Sequence, residues 1–116
     1  MEKKFLEDTL LILHVEYNFS LIIHGGAKGA DSAAGKWGRF QGIPSRVYPA
    51  DWSKGDEAGP LRNQQMLSDG RPDLVIIFPG GKGTKDMMSR AYRQNYSVIE
   101  CNPGSPIRVR KANAVG

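Results

Sequence analysis

Cysteine is almost absent from this sequence, and long apolar segments are missing altogether. The single cysteine, Cys101, cannot form an internal disulfide and offers no zinc-ligand spacing, so we exclude a secreted disulfide scaffold and a structural zinc module. No apolar run approaches the roughly 20 residues that cross a membrane, and the first residues carry no signal-peptide pattern. These absences predict a protein of the reducing cytoplasm that has no membrane partner.

Acidic residues are also missing from the last ten positions, which hold Arg108, Arg110 and Lys111. These three residues supply most of the net charge of +4, because the rest of the chain has 13 basic and 12 acidic residues. A nearly neutral body argues against a main surface that binds the phosphate backbone of nucleic acid. We interpret the tail as a solvated segment, and nucleic-acid binding through it stays open as an alternative.

Helical and strand patterns alternate along the 116 residues, whose composition is that of one globular domain. Apolar residues at helical spacing form two stripes, Leu6, Leu10, Leu13 and Tyr17, and Ala33, Trp37 and Phe40. The predicted helices are 6–17, 31–41, 60–66 and 85–94, and the predicted strands are 20–24, 46–48, 73–78 and 97–101. This alternation predicts an α/β fold with a mostly parallel sheet and helices on both of its sides.

The regular pattern ends near residue 102. We therefore expect one domain, residues 1–102, followed by the basic tail, residues 103–116. Proline and glycine interrupt the start of this tail, and Ile107 to Val109 can add an edge strand to the sheet.

Two glycine-rich turns each follow a predicted strand and precede a predicted helix. The first, residues 24–31, reads His-Gly-Gly-Ala-Lys-Gly-Ala-Asp, and the second, residues 78–84, reads Phe-Pro-Gly-Gly-Lys-Gly-Thr. In open parallel sheets, ligands bind beyond the carboxyl ends of the strands. Glycines at such an edge let backbone N–H groups and the positive end of the following helix approach a phosphate. Lys28 and Lys82 add positive charge there.

Neither turn matches a common nucleotide-binding template. A Walker A loop needs Ser or Thr directly after its lysine, whereas Gly83 follows Lys82. The Rossmann fingerprint fails as well, because Asp86 stands where its third glycine is required. The alternative that the glycines only form tight turns therefore stays open.

Four motifs in this order resemble the YspA-like branch of the SLOG superfamily: 24–31, 49–52 (Pro-Ala-Asp-Trp), 58–66 (Ala-Gly-Pro-x-Arg-Asn-x-x-Met) and 78–84. That superfamily also includes the DNA-processing protein DprA and the LOG cytokinin-activating phosphoribohydrolases. The resemblance covers about residues 5 to 101. It implies a Rossmann-like three-layer domain that binds a nucleotide or a nucleotide-derived phosphorylated ligand.

The chain departs from the family pattern at two places. The family opens with a strand and its own glycine-containing loop, whereas here only about four residues precede the first predicted helix, so we expect that strand to be absent. LOG enzymes carry a catalytic glutamate three residues after their Gly-Thr, and the matching residue here is Met87, which cannot exchange protons. Asp86 is adjacent, but on a helix it points about 100° away from that position. LOG-type hydrolysis is therefore disfavoured.

The predicted ligand-binding residues follow the four motifs. They are His24, Gly25, Gly26, Lys28, Gly29, Asp31, Asp51, Trp52, Arg62, Asn63, Pro79, Gly80, Gly81, Lys82, Gly83 and Thr84. Lys28, Lys82 and Arg62 would supply charge, Asn63 would hydrogen-bond a base or ribose, and His24 is interpreted as a structural residue rather than a base. We predict no catalytic residue, no cofactor and no metal site, since no cluster of His, Cys and acidic residues has ligand spacing.

Three of these residues have a structural interpretation beside the functional one. Arg62 clamps a phosphate or pairs with an acid, Asp51 or Asp56. Asp31 binds ribose hydroxyls or caps its helix. Trp52 stacks on a base or covers the edge of the sheet.

The predicted function is binding of a nucleotide-like small molecule at the two turns, with the question of enzymatic activity left open. One alternative is a LOG-like nucleotide N-glycosidase, and another is DprA-like binding of nucleic acid. We also expect a homodimer, because a symmetric interface would cover the edge that the absent strand leaves exposed.

Overall fold

The computed structural model describes residues 1–113 and divides the chain into two compact units, Met1–Ala50 and Asp51–Gly116. The first unit contains α1 (Lys3–Tyr17), β1 (Ile22–His24), α2 (Ala30–Phe40) and β2 (Ser45–Val47). The second contains a 3-10 helix (Trp52–Glu57), α3 (Ala58–Ser68), β3 (Val75–Ile77), α4 (Lys82–Arg93), β4 (Val98–Glu100) and β5 (Arg108–Arg110). Positions 114–116 of the predicted tail lie outside the described residues.

Helix α1 packs through the stripe that its spacing predicts. Leu6, Leu10 and Leu13 are buried, while Tyr17 at the end of the stripe is partly exposed. The helix ends at Asn18, whose backbone is left-handed (φ 53°) and whose N–H donates to the carbonyl of His14. The next residue, Phe19, donates its N–H to Nδ1 of His14 at 2.9 Å, so this histidine closes the end of the helix.

Helix α2 lies close against β1 because two of its positions have no side chain. A Cβ on Gly38 would come within 2.5 Å of Cδ1 of Ile22, and one on Gly35 would come within 2.9 Å of Nε2 of His24. Strand β1 pairs in parallel with β2, with Ile22 opposite Ser45 and His24 opposite Val47. The first unit is thus a strand–helix–strand unit preceded by a helix.

The second unit has its own apolar core between its helices and a three-stranded sheet. The core cluster consists of Leu67, Val75, Ile77, Ala91 and Val98, with Met87, Met88, Tyr92 and Tyr96 packed against it. Strand β3 pairs in parallel with β4, and β5 pairs with β4 in the antiparallel direction. The hydroxyl of Tyr96 donates to the carbonyl of Leu67 at 2.8 Å, which ties the segment before β4 to α3.

The basic tail contributes the edge strand β5 and is tied to the sheet by Arg110. The guanidinium of Arg110 lies 4.8 Å from the centre of the Tyr92 ring, and its Nη1 donates to the Tyr92 carbonyl at 3.4 Å. The Tyr92 hydroxyl donates to the carboxylate of Glu100. This hydrogen bond is the largest of the influences that raise the pKa of Tyr92. Part of the tail is therefore ordered strand, and not only the solvated segment that its charge suggested.

The helices and strands follow the predicted order, and β1 with β2 and β3 with β4 pair in the parallel direction that the alternation predicts. The fold contains mixed helices and strands, compatible with the expected α/β class. The strands form two small sheets, β1-β2 and β3-β4-β5. Phe40 lies in the predicted helix but is 88% exposed, although Trp37 of the same stripe is buried. Among residues 1–113, no helix is long and apolar enough to span a membrane.

Cys101 follows β4 and is fully buried, and burial raises the pKa of its thiol to about 11. We expect it to resist a thiol reagent at pH 8 in the native protein, because a thiol with this pKa is about 0.1% thiolate at that pH. Unfolding in denaturant should expose it and restore ordinary reactivity. The measurement is the rate of thiol modification with and without denaturant; fast labelling of the native protein would contradict the packing.

Candidate functional site

The first glycine turn is bonded to the side chains that bracket it. The N–H groups of Gly25 and Ala27 donate to Oδ2 of Asp31 at 3.0 and 3.2 Å. The N–H of Gly26 donates to Nδ1 of His24 at 3.0 Å. Gly26 has a positive φ of 72°, a backbone conformation that other residues adopt at a cost. Three consecutive amides of this turn are therefore already bonded to the protein's own side chains.

Asp31 does not act as the cap of α2, which was one of its two predicted roles. The capping position is held by Gly29, which makes no side-chain hydrogen bond, and Asp31 is the second residue of the helix. Its carboxylate bends back to the turn instead. A negative charge thus lies where the sequence predicted a phosphate, while Lys28 is exposed at the tip of the turn.

The second glycine turn has the opposite electrostatic character. Helix α4 begins at Lys82, its capping residue Gly81 makes no side-chain hydrogen bond, and its first turn contains no acidic residue. The first N–H groups of a helix have no partner within the helix, and its dipole adds positive potential there. Residues 79–83 are all exposed. This turn therefore offers positive potential and free space for an anion.

The second turn has a steric requirement at one glycine. A Cβ on Gly80 would come within 2.9 Å of the Cβ of Thr84, which lies over the turn from the first part of α4. Cβ atoms on Gly81 and Gly83 would meet nothing within 4 Å. Gly80 is needed for the fold of the turn, whereas Gly81 and Gly83 leave its outer side uncovered.

Asn63 is a buried polar residue that joins α3 to the first turn of α4. It is 3% exposed, and its Nδ2 donates to the carbonyl of Gly83 at 3.1 Å and to Oδ2 of Asp86 at 3.0 Å. Its Oδ1 accepts a hydrogen bond from Nε of Arg62 at 3.1 Å. Both sides of the carboxamide are thus engaged within the protein, and the residue fixes the place of α4 relative to α3.

Asp86 extends this network along α4 to Arg90. Its carboxylate accepts from Nε of Arg90 at 2.8 Å. Burial alone would raise the pKa of Asp86, but hydrogen bonds from Arg90 and Asn63 outweigh it, so the net pKa is lowered. Asp86 is therefore a bonded carboxylate at neutral pH and no source of protons. The sequence carried one sign of this role, the i, i+4 spacing of Asp86 and Arg90.

Asp51 and Trp52 lie at the start of the 3-10 helix. Oδ1 of Asp51 accepts from the hydroxyl and the N–H of Ser53, at 2.6 and 3.2 Å, and these two bonds lower the pKa of Asp51. The Trp52 side chain is 69% exposed, with its ring edge near Gly59. An exposed ring is available for stacking, whereas the alternative of covering a sheet edge would bury it.

The predicted site residues are thus distributed between the two units. Arg62, Asn63 and the second turn are brought together in the second unit. The residues of the first turn form their own hydrogen-bonded group in the first unit. Within residues 1–113, no group of three His, Cys, Asp or Glu residues is arranged to hold a metal ion.

We expect Asn63→Ala to lower the free energy of unfolding by about 2 kcal/mol or more, because it removes the hydrogen bonds that a carboxamide of only 3% exposure makes to Arg62, Gly83 and Asp86. Chemical denaturation measures this loss. Gln65→Ala, on an exposed position of the same helix, is the matched control and should change stability by less than about 0.5 kcal/mol.

The pH dependence of this loss provides a second check. The folded pKa of Asp86 lies below its unfolded value of about 3.9, so its bonds stabilise the native state above that pH. The stabilisation is lost as the pH falls through the folded pKa. The difference between wild type and Asn63→Ala should therefore shrink in acid. A difference that is constant from pH 7 to pH 3 would contradict the role of Asp86.

Comparison with known proteins agrees with the motif resemblance. A family model described as YspA, cpYpsA-related SLOG family matches residues 1–55. The chain is also similar to the Gene 61 protein of Mycobacterium phage D29, with 37% identity over 87 residues that cover 68% of this chain and 69% of that protein. No solved structure matches the chain significantly. The chain belongs to the YspA, cpYpsA-related SLOG family.

Proposed function

We propose that the second glycine turn binds the phosphate of a nucleotide or a nucleotide-derived ligand. The observation that carries the proposal is the start of α4, which has no capping side chain and no first-turn acid and has Lys82 as its first residue. An anion gains both from unpaired helix N–H groups and from the lysine at this position. Family membership supports a nucleotide-related ligand or role.

The first turn supports this choice by contrast. Helix α2 carries Asp31 in its first turn, and the carboxylate already accepts from Gly25 and Ala27. A phosphate would have to displace or face this negative charge, whereas a ligand hydroxyl can donate to it. We therefore propose that the first turn contacts hydroxyl groups of the ligand rather than its phosphate. The proposed contact residues are His24, Gly25, Gly26, Lys28, Gly29 and Asp31.

Arg62 is the strongest candidate for a further ligand contact in the second unit. Its Nε is held by Oδ1 of Asn63, and Asn63 is held by the turn itself. The network thus places a guanidinium in a fixed relation to the Gly83 carbonyl. Asn63 serves the site through this positioning, because its own amide is fully engaged. Trp52 and Asp51 stay proposed contacts, with the exposed indole as a stacking surface for a base.

We propose binding without LOG-type hydrolysis. Met87 packs against the apolar core of the second unit, and Asp86 is tied to Asn63 and Arg90. Neither side chain can donate a proton to a leaving base at the turn.

We also propose four further properties that the sequence analysis predicts for this protein. They are a three-layer Rossmann-like arrangement that lacks the first strand of the family, a boundary between residues 102 and 103, a cytoplasmic location and a homodimer. The parallel pairings of β1 with β2 and of β3 with β4 support the first of these.

We expect AMP or ADP-ribose to raise the melting temperature by several degrees, since a ligand at 100 times its Kd stabilises by about 2.7 kcal/mol. Thermal shift over AMP, ADP, NAD, ADP-ribose and cyclic nucleotides measures this. Lys82→Ala should weaken the shift, while Lys85→Ala, one turn further along α4, should leave most of it. A flat panel would remove the nucleotide proposal, and equal effects of the two variants would remove the second turn as its site.

We expect no appreciable release of adenine from AMP. A positioned acid or base contributes on the order of 10² to 10⁴ in rate, and the residue at the matching position is a thioether. Chromatography of AMP incubated with the protein tests this. Adenine and ribose 5-phosphate formed at ordinary enzymatic rates would reinstate the N-glycosidase alternative.

A further inference from the structure

The first unit exposes a groove of positive charge beside an aromatic ring. The groove has a volume of about 560 Å³ and is lined by Lys3 of α1 and by Lys36, Arg39 and Phe40 of α2. Phe40 is 88% exposed, and nothing in the first unit explains a large apolar side chain in this place. We call this surface the basic groove.

Helix α1 exposes a second surface of the opposite charge. Leu11, Ile12 and Val15 are 47%, 60% and 81% exposed, on the side of the helix away from its buried leucines. Asp8 lies one turn before the first two of these residues, and Glu16 directly follows the third. Residues 7–17 contain three acidic residues and no lysine or arginine, and Lys4, one turn before Asp8, lies at the end of this surface. We call Asp8, Leu11, Ile12, Val15 and Glu16 the acidic strip.

The two surfaces complement each other in charge and in apolar content. Among the described residues, the salt bridges are Lys3–Glu7 and Asp86–Arg90, so within residues 1–113 the acids of the acidic strip and the side chains of Lys36 and Arg39 form no salt bridge. Contiguous exposed apolar side chains rimmed by charge mark interaction surfaces. Because one chain carries both surfaces, a second copy supplies the complement of each.

We propose that the acidic strip of one copy docks into the basic groove of its partner, and reciprocally, in a symmetric homodimer. Phe40 packs against the aliphatic residues of the strip, and Lys36 and Arg39 face Asp8 and Glu16. Reciprocal docking of two different patches is the arrangement that a two-fold axis produces. The proposed homodimer surface and the proposed phosphate site use different residues, so the dimer proposal and the nucleotide proposal succeed or fail separately.

Light scattering at micromolar concentration should give twice the monomer mass of 12.8 kDa. Phe40→Asp and Val15→Asp should each shift the protein to a folded monomer, because both side chains are exposed and neither contributes to the core. Leu61→Asp, at a half-exposed position of α3, is the matched control and should stay dimeric. A monomeric wild type overturns the proposal and directs the groove to some other, anionic partner.

A charge exchange tests the pairing itself. Arg39→Glu and Glu16→Arg should each raise the dimer dissociation constant by about tenfold or more, since each places like charges opposite each other. An equimolar mixture of the two variants should form heterodimers, because every contact in the mixed pair is again between opposite charges. Native mass spectrometry separates the mixed dimer from the two homodimers by mass.

Two outcomes would overturn the proposed interface. If the wild type is dimeric but neither single variant weakens it, or if the mixture forms no heterodimer beyond the random share, the copies meet elsewhere. Raised salt should weaken the wild-type dimer, since the facing charges lie at a solvent-accessible rim. A dimer whose dissociation constant ignores salt would contradict the charge pairing as well.

Discussion

A single buried carboxamide holds the second glycine turn in place. Asn63 contacts a carbonyl of α4, a carboxylate of α4 and a guanidinium of its own helix. Its carboxamide is 3% exposed and would be costly to leave without these partners. Because the Gly83 carbonyl belongs to the first turn of α4, the same bond fixes the N–H groups that point out of that turn. The stability of the α3–α4 pair and the shape of the proposed phosphate site therefore depend on one side chain.

The two glycine turns show how one side chain decides what a turn can bind. Both follow a parallel strand, both contain three glycines, and both lead into a helix of more than ten residues. In the first, an aspartate on the opening turn of the helix bonds to two amides of the loop. In the second, the corresponding part of the helix has no acid, and its only charged residues are lysines. Similar backbones thus present opposite charge.

The order and type of the elements could be predicted because apolar spacing and glycine or proline boundaries are local properties of the sequence. These local properties predicted the buried stripe of helix α1 and the parallel direction of the strands. Phe40 could not be placed, since helical spacing says which residues share a side of a helix but not how wide the buried side is. In α2, Gly35 and Gly38 face β1, and the covered side is narrow enough to leave Phe40 in solvent.

The sequence predicts which polar residues lie around the glycine turns but not what each side chain does there. Asn63 and Asp31 stand at positions that the motifs single out, yet their functional groups bond to the protein itself. Such bonds depend on tertiary contacts, as between Asn63 and Gly83, twenty residues apart. A sequence pattern therefore locates the polar groups around a turn without telling a ligand contact from a support for the turn.

Met87 and its neighbour Asp86 both have structural roles in α4. The side chain at this position packs against the apolar cluster of the second unit, so it contributes to the stability of α4. The adjacent carboxylate of Asp86 accepts hydrogen bonds from Arg90 and Asn63, which lower its pKa and keep it ionised. The proposed anion site lies at the start of α4, where it uses the uncapped N–H groups and Lys82. The proposed anion site and the position that carries glutamate in LOG enzymes are thus different parts of one helix, so methionine at position 87 is compatible with the proposed binding.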